Sequence, residues 1–291
     1  MSSLETFSQS LRPEWLANYL GSETIFATHA HEVLYSFVFY NMLFLFCPVI
    51  GRVCFGSIYT CLVSSSDPKQ RKLKLNFDIH IIAMIQAIIS IGACIWLFCS
   101  TVLNDNQLLG YDYSHTFVSS ITVGYFIWDL LVCLKYFDLF GFEFLLHAVA
   151  SLFVFSTTFM PFFQYWVPRF LIFEASSPFV NINWFIANSK GAKGWLSSTT
   201  LNVVNGLLLM LSFFSVRIIW GFYAIYLVMC LLCNQWNDLT SIEQIVASIV
   251  VGLNFSLDVL NLFWFKKMVR IAKKMASKGK SSPKNSEKKD Q

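Results

Sequence analysis

The chain has 291 residues, 56% of them hydrophobic and only 13% charged, against about 25% charged in soluble domains. Phe alone occurs 30 times, more apolar surface than a soluble core absorbs, so the composition excludes an ordinary soluble enzyme and predicts an all-α, polytopic membrane helical bundle. The net charge of +4 collects in the C-terminal tail, so it gives no reason to expect a nucleic-acid partner.

Residues 1–32 are mixed and polar, with no basic stretch ahead of an apolar core, and read as an N-terminal lumenal segment and not a cleavable signal. An interfacial helix is expected around Trp15 and Tyr19. Residues 33–63 form the first transmembrane helix, with its span at about Val33–Ile50. A basic turn follows, carrying Lys69, Arg71, Lys72 and Lys74. The second span is about Phe77–Phe98, and the connection after it holds Asp105 and Asp112 without Lys or Arg. The third is about Thr116–Phe137 and the fourth about Phe142–Met160, after DLFGFE. The fifth, about Phe162–Ile186, contains Pro168 and Pro178 and leads to a loop with Lys190 and Lys193. From Thr200 to Leu232 the chain is apolar except at a few points such as Arg217. This run is about 50 Å long as a helix, against a bilayer core of about 30 Å, so it is one kinked helix or two. The last span is about Ile245–Phe265. Residues 70–275 thus make a six-helix membrane domain, and 276–291 a basic tail.

Charge decides the number of spans. With seven, the basic loops and the basic tail share one side and the acidic loops share the other, the positive-inside pattern with a cytosolic C-terminus. With eight, the tail falls opposite the basic loops. The chain ends Lys288-Lys289-Asp290-Gln291. Lysines third and fourth from a cytosolic end match a dilysine retrieval signal, read by a retrieval coat, which predicts the endoplasmic reticulum membrane.

Eight cysteines lie in or beside the spans; Cys47, Cys54 and Cys61 share a helix face and read as packing residues. No metal or other cofactor is expected. Ionisable side chains inside spans are costly and mark functional sites. They are His80, Asp129, His147, Glu174, Arg217 and Asp258. Helical rise places all but Arg217 toward the cytosolic half, together with Ser176 and Asn181, and Arg217 alone in the outer half. The expected lipid cavity is built from His80, Asp129, His147, Glu174, Ser176, Asn181 and Asp258. Pro178 frees a carbonyl near Glu174, and freed backbone at membrane depth needs a polar partner or a wet cavity.

The order Glu174-Ala-Ser176-Ser-Pro178-Phe179-Val-Asn181 resembles the E-x-S-x-P-F-x-N stretch of the TLC-domain family, which includes ceramide synthases, translocating-chain-associated proteins and lipid-homeostasis proteins. His80, Gly124-Tyr125-Phe-Ile-Trp-Asp129, His147, Arg217 and Asn261-Leu-Phe-Trp264-Phe-Lys266 occur in matching order. The resemblance spans about residues 70–275 and implies a bundle around a lipid-accommodating cavity. Ceramide synthases carry a histidine pair where this chain has Leu146-His147, and an aspartate-rich motif that is absent around Glu174. The resemblance therefore implies a non-ceramide-synthase branch.

Two functions remain open, beside a purely structural role in a membrane complex. One is a protein that binds or handles membrane lipid without catalysis. The other is an acyl-CoA-dependent membrane acyltransferase, with His147 as nucleophile or base and Asp129 or Glu174 orienting it.

Overall fold

The computed structural model describes residues 3–21, 23–99, 107–189 and 194–280. Two short helices, α1 (Ser3–Ser10) and α2 (Glu14–Leu20), precede the long α3 (Ile25–Phe55). Trp15 and Tyr19 lie on α2 and are exposed. Thr24 caps α3, its side chain accepting from the Ala27 N–H at 3.1 Å. The helix stops at Gly56, whose φ of 57° suits glycine. A short α4 (Ser57–Ser64) folds back toward α5 (Pro68–Cys99), where the Tyr59 hydroxyl donates to Asp78.

Two boundaries differ from the sequence reading. The first long helix starts at Ile25 and not Val33, because His29, His31 and Glu32 are buried against partners and not left in a solvated tail. The basic residues from Lys69 to Lys74 form the first turns of α5 and not a loop.

The third and fourth long helices are α6 (Tyr113–Lys135), capped by Asp112, and α7 (Phe137–Ser156). Gly141 interrupts α7 with φ 74°, so the straight part begins at Phe142, as the sequence suggests. The fifth crossing is broken. It passes from a 3₁₀ turn at Gln164–Trp166 to α8 (Val167–Leu171), a second 3₁₀ turn at Ile172–Ser176, and α9 (Ser177–Asn188). Pro168 and Pro178 each sit in the first turn of a helical piece, where a missing N–H costs little.

The long apolar run is one continuous crossing. It comprises α10 (Thr199–Phe213), a π-helical turn at Phe214–Ile219 and α11 (Trp220–Gln235). The last helix is α12 (Ser241–Lys280). Among the described residues there are seven helical segments long and apolar enough to cross a membrane. Asp105, Lys190, Lys193, Lys288 and Lys289 lie outside the described residues.

The bundle packs around two apolar clusters. One centres on Phe162, Phe163, Trp166 and Val118, the other on Tyr40, Tyr59, Phe77 and Trp128. Tyr125 on α6 touches both, and it also lines a partly polar space inside the bundle.

Candidate functional site

That space is a cavity of about 60 Å³. A water molecule needs roughly 10–15 Å³ on this measure, so it holds several waters or a small polar group but not an acyl chain. Glu174 enters it from the broken fifth crossing, Arg217 from the π-helical turn, His147 from α7, and Asp258 with Asn254 and Asn261 from α12. Gln86 and Ser90 of α5 close the opposite wall. They are held by a chain in which the Tyr40 hydroxyl donates to Gln86 Oε1, and Gln86 Nε2 donates to Ser90 Oγ at 2.9 Å.

Arg217 organises the charged end. Its Nε donates to Ser176 Oγ at 2.9 Å and its Nη2 to Ser177 Oγ at 3.1 Å. Its Nη2 also lies 3.8 Å from Glu174 Oε1, an ion pair longer than a direct hydrogen bond. The 3₁₀ turn makes this possible: it sets Ser176 and Ser177 beneath the guanidinium and turns Glu174 toward the cavity. After Pro178, Asn205 of α10 ties the segment down by donating from Nδ2 to the Phe179 carbonyl at 3.0 Å.

His147 is held differently. Its ring packs against the Phe126 and Trp264 rings, with centroids 6.1 and 6.0 Å away. Trp264 is itself fixed by donating from Nε1 to Glu143 at 3.0 Å. No described residue is hydrogen-bonded to the His147 ring, so no carboxylate orients it. Asp258 lies beside Gly221, where a Cβ would approach Oδ1 to 2.7 Å.

Of the seven residues expected to build one cavity, Glu174, His147 and Asp258 line it. Ser176 stands behind it as a partner of Arg217. Asp129, one turn beyond Tyr125 on α6, interacts electrostatically with Glu174 without lining the space. His80 and Asn181 form a separate pair: Nδ1 donates to Oδ1 at 2.7 Å, and the imidazole stacks on Trp184 at 4.0 Å. Arg217, expected apart from the others, lines the cavity together with Glu174, His147 and Asp258. The sequence lacks the signal that would place it there, because one long apolar run carries no register mark for a π-helical turn.

A second polar cluster was not foreseen. Glu32 of α3 accepts from Ser8 Oγ at 2.5 Å, from the Tyr113 hydroxyl at 2.7 Å and from His29 Nδ1 at 2.6 Å. His29 Nε2 in turn accepts from the Tyr111 hydroxyl at 3.1 Å. Burial, with the nearby carboxylates Glu5, Glu32 and Asp112, pushes the Tyr111 phenol up to about 12. Burial also acts to raise the Asp112 carboxyl, but hydrogen bonds from the His115 side chain and backbone outweigh it and hold the group below the usual range. The run His29-Ala-His31-Glu32 followed by an apolar helix was the available sequence signal.

Comparison with known proteins adds a family context. A model of the TLC domain matches residues 76–270. Topoisomerase I damage affected protein 4 of Saccharomyces cerevisiae is 40% identical over 270 residues, covering 92% of this chain and 93% of its own. An uncharacterized TLC domain-containing protein of Schizosaccharomyces pombe is 31% identical over 87% of this chain and 82% of its own. TLC domain-containing protein 4 of Homo sapiens is 30% identical over 53% of this chain and 56% of its own.

Proposed function

The chain belongs to the TLC-domain family, and on that premise we propose that it binds and handles membrane lipid through the Arg217 cavity. The observation that carries this reading is the convergence of Arg217, Glu174, Asp258 and His147 on one small space inside an apolar bundle. Charged side chains there are costly unless they serve a pathway or a ligand. The cavity takes the polar end of a lipid, because it holds both signs of charge and is too small for acyl chains. Arg217 attracts an anionic group such as a phosphate, and Glu174 and Asp258 attract a cationic one.

The proposal places the protein in the endoplasmic reticulum membrane with its C-terminus cytosolic. The basic loops and tail on one side support the orientation. Lys288 and Lys289 support the location, as ligands of a retrieval coat.

Acyl transfer from acyl-CoA is the second reading, and His147 at the cavity wall is the observation behind it. A catalytic histidine requires an orienting partner, and the His147 ring has aromatic edges in that place. Lipid handling is therefore the better fit.

Mass spectrometry of lipids extracted from the purified protein tests the proposal, alongside an acyl-CoA consumption assay with sphingoid bases. Wild type is expected to carry lipid and consume no acyl-CoA, and Arg217→Gln to lose most of the bound lipid while remaining folded. Turnover by wild type that vanishes in His147→Ala would establish the acyltransferase instead. Absence of bound lipid and of turnover would leave a structural role.

A further inference from the structure

One face of α12 forms a wall of the Arg217 cavity. Asn254, Asp258 and Asn261 all line that space. Their spacing of four and then three residues sets them one above another on the helix. All three are buried, Asp258 to 3% exposure.

This wall offers mainly acceptors. Asn254 Nδ2 donates to the Val250 carbonyl at 2.9 Å, which leaves its Oδ1 to accept. Among the described residues nothing is hydrogen-bonded or ion-paired to Asp258 or Asn261, and no charged neighbour acts on Asp258. The side-chain oxygens of all three still reach free space, and the space they line is the cavity. Most other polar groups around it are engaged within the protein. Arg217 faces Ser176, Ser177 and Glu174. Gln86 donates to Ser90, and Thr122 to the Val118 carbonyl. The His147 ring packs against Phe126 and Trp264. Tyr125 and Ser151 add hydroxyls, which can donate or accept. A buried carboxylate with neither a donor nor a counter-charge is costly and calls for a group that supplies both.

We propose that this wall binds the primary ammonium of an amine-bearing membrane lipid. The assignment presupposes lipid handling by the Arg217 cavity and narrows the class of lipid. An ammonium carries three N–H donors and no acceptor, which matches Asn254 Oδ1, the Asp258 carboxylate and Asn261 Oδ1. Its charge compensates Asp258. The rings of Phe126, Phe173 and Trp264 line the same space and favour a cation. A quaternary ammonium has no N–H and leaves all three acceptors without donors. Ethanolamine phospholipids and long-chain sphingoid bases share the required chemistry. Both also carry an oxygen near the amine, to which Asn261 Nδ2 can donate.

The test is saturable binding of radiolabelled lipid to the purified full-length protein in detergent, in two matched pairs. One pair is dioleoyl phosphatidylethanolamine and dioleoyl phosphatidylcholine; the other is sphingosine and N,N,N-trimethylsphingosine. In at least one pair the primary amine is expected to bind about tenfold more tightly than its trimethylated form, as a charge-assisted hydrogen bond requires. The pair with the larger preference names the source. Asp258→Asn keeps the volume and removes the charge, and is expected to erase that preference. Because it removes an unpaired buried charge, it should not lower the thermal midpoint of the lipid-free protein. Asn261→Leu is expected to reduce the preference several-fold. Equal binding within both pairs, with Arg217→Gln still lowering it, would overturn the ammonium site and leave lipid handling standing. A preference that survives Asp258→Asn, or a midpoint that falls sharply in that variant, would also overturn the site. Absence of saturable binding by all four lipids would overturn both readings.

Discussion

The two polar regions of this bundle are built from similar residues and reach opposite states. Around Glu32 nearly every donor meets an acceptor at hydrogen-bond distance, and the network joins α1, α3 and the start of α6. Around Arg217 the nearest carboxylate among the described residues is 3.8 Å away, the His147 ring packs against aromatic rings, and free space adjoins the charges. A polar network closed on itself fixes a structure; one left open around a cavity awaits a partner.

This contrast can be broken from the closed side first. Glu32→Ala leaves Ser8, His29 and Tyr113 without their common acceptor. It is expected to lower stability by about 3–5 kcal/mol, read as a large fall in the thermal midpoint in detergent. Lipid carried in the Arg217 cavity should decrease no more than the folded fraction does. If Glu32→Ala left the midpoint unchanged, the closed network would not be structural.

Gly124→Ala probes the packing that holds the closed region to the rest. A Cβ there would meet Ser36 Cβ at 2.5 Å and the Val33 carbonyl at 2.7 Å, so α3 and α6 must move apart. A loss of about 1–3 kcal/mol is expected. Gly221→Ala is the counterpart on the open side. The added methyl reaches Asp258 Oδ1 at 2.7 Å, displacing a carboxylate next to empty space that can receive it. Stability should fall by less than in Gly124→Ala, while retained lipid falls several-fold. The reverse ranking would remove the distinction between the two regions.

The smallest effect concerns pH. Asp112 lies outside the spans and caps α6, accepting from the His115 N–H at 3.1 Å. Its folded value lies below the unfolded one. Its contribution is therefore fully present above the unfolded value of about 3.9 and fades as pH falls through the folded value. Asp112→Asn is expected to cost about 0.5–2 kcal/mol near neutrality and to flatten the pH dependence of the thermal midpoint below about pH 4.

The seven-span architecture was legible because apolar runs of bilayer length report themselves, and charge asymmetry separated seven from eight. Glu174 was legible too, as an isolated carboxylate beside Pro178. The closed cluster was not. His29, His31 and Glu32 read as a solvated tail, since composition cannot show that three polar residues bury one another with Ser8 and Tyr113, more than twenty and eighty positions away. His80 and Asn181 were read into the cavity because depth along a helix says nothing of the face a side chain takes; they pair beside Trp184 instead. Arg217 was set apart from the other polar residues because counting along regular helices takes no account of the broken fifth crossing, whose Ser176 and Ser177 it meets.

The π-helical turn at Phe214–Ile219 has a further consequence for how this sequence can change over time. Such a turn is equivalent to one residue inserted into an α-helix. A helix advances about 100° per residue, so the extra residue rotates everything after it by that amount relative to α10. Losing any one residue between 214 and 219 would leave a regular helix of nearly the same length and apolarity, still able to cross a bilayer. It would also swing Gly221 away from Asp258 and shift Arg217 against its two serines. Lineages with and without that residue would look alike in hydropathy and differ in whether the charges meet, so length in this short interval separates chains that keep the cavity from chains that keep only the fold.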